Sequence, residues 1–152
     1  MGFSSEDKAR FMAAALAESL KALPACRPNP PVGCVIVAGD RILARGFTGV
    51  PGAPHAEASA LASLSPTERP AGLSAFVTLE PCAFQGRTPS CASALVTSGI
   101  ESVFVGIVDP DPRNNGRGLR LLMDAGIHVE LGILEREVNA FLAPHLAGAR
   151  SD

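Results

Sequence analysis

Several residue types that would point to particular functions are missing or scarce in this 152-residue chain. Tryptophan and tyrosine are absent, so a platform for stacking unpaired bases would have to come from seven phenylalanines and three histidines. The formal net charge is −2 and the basic residues are scattered, which leaves no positive field to attract nucleic acid. We therefore expect no nucleic-acid partner.

Long apolar runs are also missing. No stretch approaches the roughly 18 apolar residues that a membrane-spanning helix needs, and the N-terminus lacks the basic-then-apolar pattern of a secretion signal. Only four cysteines occur, and in this setting they are expected to be metal ligands or buried thiols rather than disulfides. The sequence therefore predicts a cytoplasmic protein without a membrane partner.

The order of the apolar segments predicts an α/β fold in a single domain, residues 1–152. A helix over residues 4–22 comes first, capped by Ser4, with an apolar face of Met12, Leu16, Leu20 and Leu23. Strands over 32–38 and 41–48 form a hairpin. Three further strands (75–79, 103–108 and 127–131) alternate with helices over 55–64, 90–98, 119–125 and 133–146. This order predicts a mixed sheet of about five strands with helices on its faces.

Two short segments carry residues suited to metal chemistry. They are Pro54-His55-Ala56-Glu57 and Glu80-Pro81-Cys82, and Cys91 follows after eight further residues. One imidazole and two thiolates make a zinc site with three protein ligands, which leaves one position open for water. Bound zinc lowers the pKa of such a water to roughly 7. The pattern predicts that His55, Cys82 and Cys91 bind Zn²⁺.

Glu57 lies two residues after His55, at the start of the same predicted helix. It is close to the expected metal but free to move protons, and general acid–base catalysis of this kind contributes roughly 10²- to 10⁴-fold. Zinc deaminases of nucleobases carry H-x-E followed by P-C-x-x-C, whereas here eight residues separate the two cysteines. The pattern predicts a zinc-dependent hydrolytic deaminase with Glu57 as the catalytic residue.

Taken singly, these residues have ordinary explanations. A lone histidine at a helix start is usually a cap or a surface residue, and a lone buried cysteine is usually a small apolar side chain. The joint pattern favours the metal site. Outside it, Cys34 is expected in the core and His128 and His145 at the surface, while Cys26 has no assigned role.

Further motifs extend the pattern over about residues 8–142. They are Asn29-Pro30-Pro31-Val32-Gly33-Cys34-Val35-Ile36-Val37, Gly52-Ala53-Pro54-His55-Ala56-Glu57, Val77-Thr78-Leu79-Glu80-Pro81-Cys82, Gly86-Arg87-Thr88-Pro89-Ser90-Cys91, Ser98-Gly99-Ile100 and Asp109-Pro110. With these motifs the chain resembles the deaminase half of the bifunctional riboflavin-biosynthesis deaminase–reductases, a branch of the cytidine deaminase superfamily. The long cysteine spacing with Gly-Arg-Thr-Pro is specific to that branch.

The resemblance implies a cytidine deaminase-like, three-layer α/β/α sandwich, a zinc ion and homodimers or larger homo-oligomers. It implies that the 2-amino group of a diaminopyrimidinone ribosylamine phosphate is replaced by oxygen. By position, Asn29 would bind the pyrimidine, Ala56 and Phe84 would belong to the substrate site, and Arg87 and Thr88 would lie near the ribose phosphate. From the residues alone, Asn29 could equally form a turn.

Three positions depart from the family pattern. Phe84 and Thr48 occupy positions at which the family commonly has histidine. Asp111 occupies the position of the asparagine in the family's Asp-Pro-Asn-Pro turn. Losing a polar contact to substrate costs about 1–3 kcal/mol, so the departures leave the substrate open while the deaminase chemistry stays in place.

The leading hypothesis is therefore a stand-alone deaminase, without the reductase half, that acts on the riboflavin intermediate. The alternative is a deaminase of a related nucleobase-like heterocycle in another, specialised pathway. A polynucleotide deaminase would need a basic groove and closer cysteines. A non-catalytic zinc module would need a fourth ligand and would have no use for Glu57.

Overall fold

The computed structural model describes residues 2–65, 67, 72–84, 89–148 and 150. Within this part of the chain the helices are α1 (Ser5–Leu20), α2 (Ala56–Ser63), α3 (Cys91–Ser98), α4 (Arg117–Asp124) and α5 (Glu135–Leu146). The strands are β1 (Gly33–Ala38), β2 (Arg41–Phe47), β3 (Ser74–Leu79), β4 (Ser102–Ile107) and β5 (His128–Leu131). Every predicted element is present, with its ends within two residues of the prediction.

The strands form one mixed sheet in the order β2-β1-β3-β4-β5. Strand β1 runs antiparallel to both β2 and β3, and β3, β4 and β5 run parallel to one another. The predicted hairpin and the predicted mixed five-stranded sheet are confirmed.

Helices α1 and α5 cover one face of the sheet. Gly33 in β1 allows the α1 backbone to approach closely, because a β-carbon at this position would overlap the carbonyl of Ala15. Gly106 in β4 has the same relation to α5, where an added methyl group would lie 2.9 Å from Cγ1 of Val138. Side chains on this face therefore pack against α1 and α5.

Helices α2, α3 and α4 cover the other face. A β-carbon at Gly46 in β2 would overlap the backbone of Ala56 and Ala60 in α2, and Gly46 pairs with Cys34, whose neighbour Gly33 faces α1. Helix α3 contacts both α2 and α4. The fold is thus a three-layer α/β/α sandwich, as the resemblance implies.

The predicted apolar face of α1 is right for Met12 but wrong for Leu20. Phe11, Met12 and Ala15 are the buried apolar residues, whereas Leu20 is 58% exposed and Leu16 is only partly buried. Small residues face Gly33 because the helix and the strand approach closely there, and this rotates the leucines away from the sheet. The predicted cap is confirmed, since the Ser4 hydroxyl accepts a hydrogen bond from the Asp7 amide at 3.1 Å.

The remaining cysteine and histidine expectations hold in part. Cys34 is fully buried in the core, as predicted, and Cys26 is fully buried as well. His128 is exposed, whereas His145 is partly buried, with its ring 5.7 Å from that of Phe141. Among the described residues, each helix is too short or too polar to cross a membrane.

Four chain connections meet at one edge of the sheet. Strands β3 and β4 end there, and because β1 runs antiparallel to β3, the start of β1 and the end of β2 lie at the same edge. The connections bring Asn29, Thr48, Cys82 and Asp109 to that edge, together with the N-termini of α2, α3 and α4. Ligand sites of α/β proteins form at the carboxyl ends of parallel strands, so this edge is the place to look for a site.

Candidate metal centre and active site

The side chains of His55, Cys82 and Cys91 converge at this edge. Nδ1 of His55 lies 3.2 Å from Sγ of Cys91 and 4.0 Å from Sγ of Cys82, and the three ligand atoms all lie within 4.8 Å of one another. A tetrahedral zinc ion with ordinary Zn–N and Zn–S bonds separates its ligand atoms by roughly 3.5–3.8 Å. Both the donor types and their spacing therefore fit zinc.

Helix N-termini place two of these ligands. His55 is the N-cap residue of α2, and Cys91 is the first residue of α3, whose N-cap Ser90 accepts a hydrogen bond from the Ser93 amide at 3.1 Å. The Cys91 amide donates to Sγ of Cys82 at 3.3 Å. The positive end of the α3 helix dipole and the Cys91 amide both stabilise a thiolate here.

The two thiols differ in acidity. The hydrogen bond from the Cys91 thiol, aided by His55, lowers the pKa of Cys82 to about 5 although burial opposes this. The same hydrogen bond, together with burial, raises the pKa of Cys91 well above its usual value. The contacts within the pair therefore favour a thiolate at Cys82, and a thiolate can bind a metal without first losing a proton.

Glu57 is the second residue of α2 and is only 4% exposed. Burial and, less strongly, the negative charge of Cys82 together raise the pKa of its carboxyl group to about 7, although His55 acts in the opposite direction. A carboxyl group with a pKa near neutrality can both accept and return a proton. The structure thus brings the predicted catalytic residue into the same site as the predicted ligands.

A cavity opens beside this cluster. His55, Glu57 and Cys82 line it together with Asn29, Thr48, Phe84, Asp109, Arg113 and Arg150.

The predicted substrate-binding residues fall into three groups. Asn29, which is 7% exposed, and Phe84 both line the cavity. Ala56 is fully buried in the core and does not belong to the described lining of the cavity. Arg87 and Thr88 lie outside the described residues.

The two positions at which the family commonly has histidine make contacts of their own. The Thr48 hydroxyl accepts a hydrogen bond from the Val32 amide at 3.0 Å and donates to the Val32 carbonyl at 3.4 Å, which ties the end of β2 to the start of β1. The Phe84 ring lies under the guanidinium of Arg113, with 4.2 Å from its Cζ to the ring centroid. Both side chains therefore shape the cavity wall through contacts within the chain.

Four charged residues of the cavity region were not predicted from sequence as site residues. Arg150 donates to Asp109 at 2.9 Å, and Arg113 donates to Asp111 at 2.8 Å. Hydrogen bonds from Arg113 lower the pKa of Asp111 to about 2. Asp109 belongs to the Asp-Pro motif, and Arg113 lies only two residues after its partner Asp111. Arg150 has no sequence signal, because its partner Asp109 is reached only through the fold.

Glu80 is a further residue whose role the sequence left open. Its buried carboxylate accepts hydrogen bonds from the amides of Asp109 at 3.1 Å, Gly116 at 3.0 Å and Leu119 at 3.1 Å. Gly116 and Leu119 belong to the N-terminus of α4, so Glu80 joins the end of β3 to the end of β4 and to that helix. The position of this glutamate, between an apolar strand and Pro-Cys, is a sequence signal from which a role at the site could have been predicted.

Comparison with known proteins agrees with this geometry. Residues 5–107 match the family model described as the cytidine and deoxycytidylate deaminase zinc-binding region. The chain therefore belongs to the cytidine and deoxycytidylate deaminase family, and the predicted family is confirmed.

Its similarity is to one branch of that family. The chain is 42% identical over 142 residues to riboflavin biosynthesis protein RibD of Chlamydia pneumoniae, which is 93% of this chain and 37% of that protein. The solved structure of Acinetobacter baumannii RibD matches with a TM-score of 0.87 and 40% identity, over 93% of this chain and 40% of that one.

A second solved structure, from Thermotoga maritima, matches with a TM-score of 0.85 and 38% identity, over 91% of this chain and 40% of that one. That protein is described as a diaminohydroxyphosphoribosylaminopyrimidine deaminase/5-amino-6-(5-phosphoribosylamino)uracil reductase. The chain thus spans well under half the length of these relatives.

Proposed function

We propose that the chain catalyses the hydrolytic deamination of diaminohydroxyphosphoribosylaminopyrimidine in riboflavin biosynthesis. The observation that carries this proposal is the convergence of His55, Cys82 and Cys91 within 4.8 Å, beside a cavity that Glu57 lines together with His55 and Cys82. Identity of about 40% to RibD proteins over most of the chain supports this substrate.

His55, Cys82 and Cys91 would hold the zinc ion. When bound, zinc supplies Lewis acidity that activates a water molecule near neutral pH. The Glu57 carboxylate accepts one proton from the attacking water and passes it to the ring nitrogen. It then accepts the second proton, from the hydroxyl group now bonded to the ring carbon, and passes that proton to the departing amine. The C–N bond breaks, ammonia leaves and a carbonyl replaces the amino group, so one water is consumed.

The cavity wall would hold the rest of the substrate. We propose that Asn29 binds the pyrimidine, that Ala56 and Phe84 belong to its surroundings, and that Arg87 and Thr88 bind the ribose phosphate. Arg113 and Arg150 also line the cavity and offer guanidinium groups to an anionic substrate, although each is paired with an aspartate.

Ammonia release from the pyrimidine phosphate by purified, zinc-loaded protein tests this proposal. We expect release by the wild type and a loss of roughly 10²- to 10⁴-fold in Glu57→Ala with zinc retained, whereas Cys91→Ser should lose zinc and activity together. A folded, zinc-loaded wild type that releases no ammonia would contradict the substrate. Retention of full activity by Glu57→Ala would contradict the mechanism.

A second candidate is a related nucleobase-like heterocycle of another pathway. The observation that favours it is that Phe84 packs on Arg113 and the Thr48 hydroxyl bonds Val32, so both departures from the family rebuild the cavity wall. A panel of aminated heterocycles, compared by kcat/KM with the riboflavin intermediate, separates the two candidates.

Self-association is proposed on the resemblance alone, and the cytoplasmic location stays a prediction from the sequence. Sedimentation of the purified protein tests for a homodimer or larger homo-oligomer. A monomer at micromolar concentration would contradict self-association.

A further inference from the structure

Asn114 lies in the connection between β4 and α4, and its side chain is fully buried. Its Oδ1 accepts hydrogen bonds from the amides of Ala83 at 3.2 Å and Gly118 at 3.1 Å. Its Nδ2 donates to the carbonyls of Pro81 at 3.2 Å and Glu80 at 3.5 Å. The two donors and two acceptor positions of the amide are therefore all used.

Three of these hydrogen bonds are made by the backbone on either side of Cys82, and Cys82 itself takes part in none of them. Glu80 and Pro81 precede Cys82 and Ala83 follows it, so a single side chain holds the backbone on both sides of the candidate ligand. Strand β3 ends at Leu79, although the Glu80 amide still donates to the Ile107 carbonyl at 3.0 Å and the Cys82 carbonyl accepts from the Ala92 amide at 3.0 Å. The position of this segment therefore depends on these contacts and on those of Asn114.

Gly118 supports the same segment from α4. A β-carbon at Gly118 would overlap the carbonyl of Pro81, so the first turn of α4 packs directly on the backbone that precedes Cys82. Asn114 also bonds the Gly118 amide, and Glu80 bonds the amides at the start of α4. The loop carrying Cys82 and the N-terminus of α4 thus form one hydrogen-bonded unit.

We propose that Asn114 is a positioning residue for the metal centre, which holds the backbone around Cys82 so that its sulfur meets His55 and Cys91 at ligand distance. The proposal rests on the proposed role of Cys82 as a zinc ligand. Groups that orient the ligands of a metal typically change its affinity 10- to 100-fold when they are substituted. Asn114 acts on Cys82 through hydrogen bonds to the backbone, and its proposed role involves no contact with substrate.

The test compares Asn114→Asp with Asn115→Asp. Both substitutions exchange an amide for a carboxyl group, but Asn115 is exposed whereas Asn114 is buried. In Asn114→Asp the Pro81 and Glu80 carbonyls face an oxygen in place of the N–H donors. Zinc affinity is measured by chelator competition, at a temperature at which thermal unfolding shows both variants to be folded.

A second measurement does not depend on zinc or on activity. Protein stripped of metal is alkylated with iodoacetamide and the rate at each cysteine is followed by mass spectrometry. Cys82 is only partly buried, while Cys26, Cys34 and Cys91 are buried and serve as internal references. A loosened loop alkylates faster at Cys82 but not at Cys34, whereas general destabilisation raises the rate at all four positions.

We expect Asn114→Asp to bind zinc 10- to 100-fold more weakly, to alkylate faster at Cys82 alone and to lower kcat more than it changes KM. Asn115→Asp should stay within twofold of the wild type. Zinc affinity and Cys82 alkylation that match Asn115→Asp would overturn the proposal. If Asn114→Asp does not fold, Gly118→Ala displaces Pro81 by another route, and wild-type zinc affinity in that variant would equally overturn it.

The two proposals fail in different ways. A wild-type chain that does not bind zinc contradicts the proposed function. A wild type that binds zinc, with variants that bind it equally well, contradicts only the role of Asn114.

Discussion

The two faces of the central sheet are built from different side chains. Beneath α1, Phe76 stacks on Phe104 with ring centroids 4.5 Å apart and also meets Phe11 at 5.3 Å. On the opposite face, Gly46 meets the backbone of α2 at Ala56 and Ala60. One contact is made of large aromatic rings, and the other is made of backbone and methyl groups.

The two faces therefore contribute differently. The aromatic face contributes mainly to the free energy of unfolding, and the face under α2 positions residues of the candidate site. Large buried rings remove much apolar surface from water and interact favourably with one another. Small residues bury less surface, but they allow α2 to lie against the sheet with its N-terminus at the sheet edge. That position carries His55 and Glu57 into the cavity, so packing on this face determines the geometry of the site.

The largest effect is expected from Phe76→Ala, which removes the centre of the aromatic face. We expect a loss of about 3–5 kcal/mol of unfolding free energy, measured by denaturant titration. Zinc affinity and kcat of the folded fraction should stay within twofold of the wild type. A much lower kcat under conditions in which the variant is folded would mean that the two faces are not separate.

A matched pair of glycines gives the sharpest comparison. Gly33 and Gly46 lie on the paired strands β1 and β2, one residue apart in register, and face α1 and α2 respectively. An added methyl group overlaps helix backbone at either position, so Gly33→Ala and Gly46→Ala should each destabilise by about 1–3 kcal/mol.

Only Gly46→Ala should lower kcat, by about 10- to 100-fold, because it displaces the start of α2. Steady-state kinetics and thermal unfolding of both variants check this. Equal losses of kcat would show that α1 shapes the site as strongly as α2 does.

The smallest effect is expected from the Lys8–Glu130 ion pair, which joins α1 to β5 on the aromatic face with 2.9 Å between Nζ and Oε1. Both side chains are partly exposed, so the pair should contribute at most about 1 kcal/mol. A double-mutant cycle with Lys8→Ala and Glu130→Ala measures the coupling free energy. If the coupling free energy of this ion pair exceeded that of the aromatic contacts, the rings would not be the main stabilising contacts of this face.

Local patterns predicted much of the fold. Ser4 caps α1, and Gly99 ends α3 with a φ of 84° that suits glycine. Such signals act over a few residues, so they can be recognised without knowing the fold. The face that α1 buries could not be predicted in this way, because Leu20 fits a helical apolar stripe as well as Ala15 does and only the approach to Gly33 decides between them.

In the candidate site, too, some residues could be predicted from the local sequence and others could not. His55, Glu57, Cys82 and Cys91 stand out by residue type and spacing, because zinc chemistry needs those donors, and the structure brings them together. Their catalytic and metal-binding roles stay predictions. The places of Thr48 and Phe84 in the cavity wall follow from partners that the chain brings near only after folding.

The sequence by itself determined the class of chemistry, because two thiols, an imidazole and a carboxyl group are the types of group that zinc-dependent hydrolysis needs, and residue type does not depend on the fold. It also determined the helices and strands, through caps, turns and apolar periodicity. Only the tertiary structure decided which face each helix buries, which residues line the cavity and how Asn114 holds the backbone around Cys82. These depend on contacts between residues tens of positions apart, and such contacts exist only once the sheet has brought its connections to one edge.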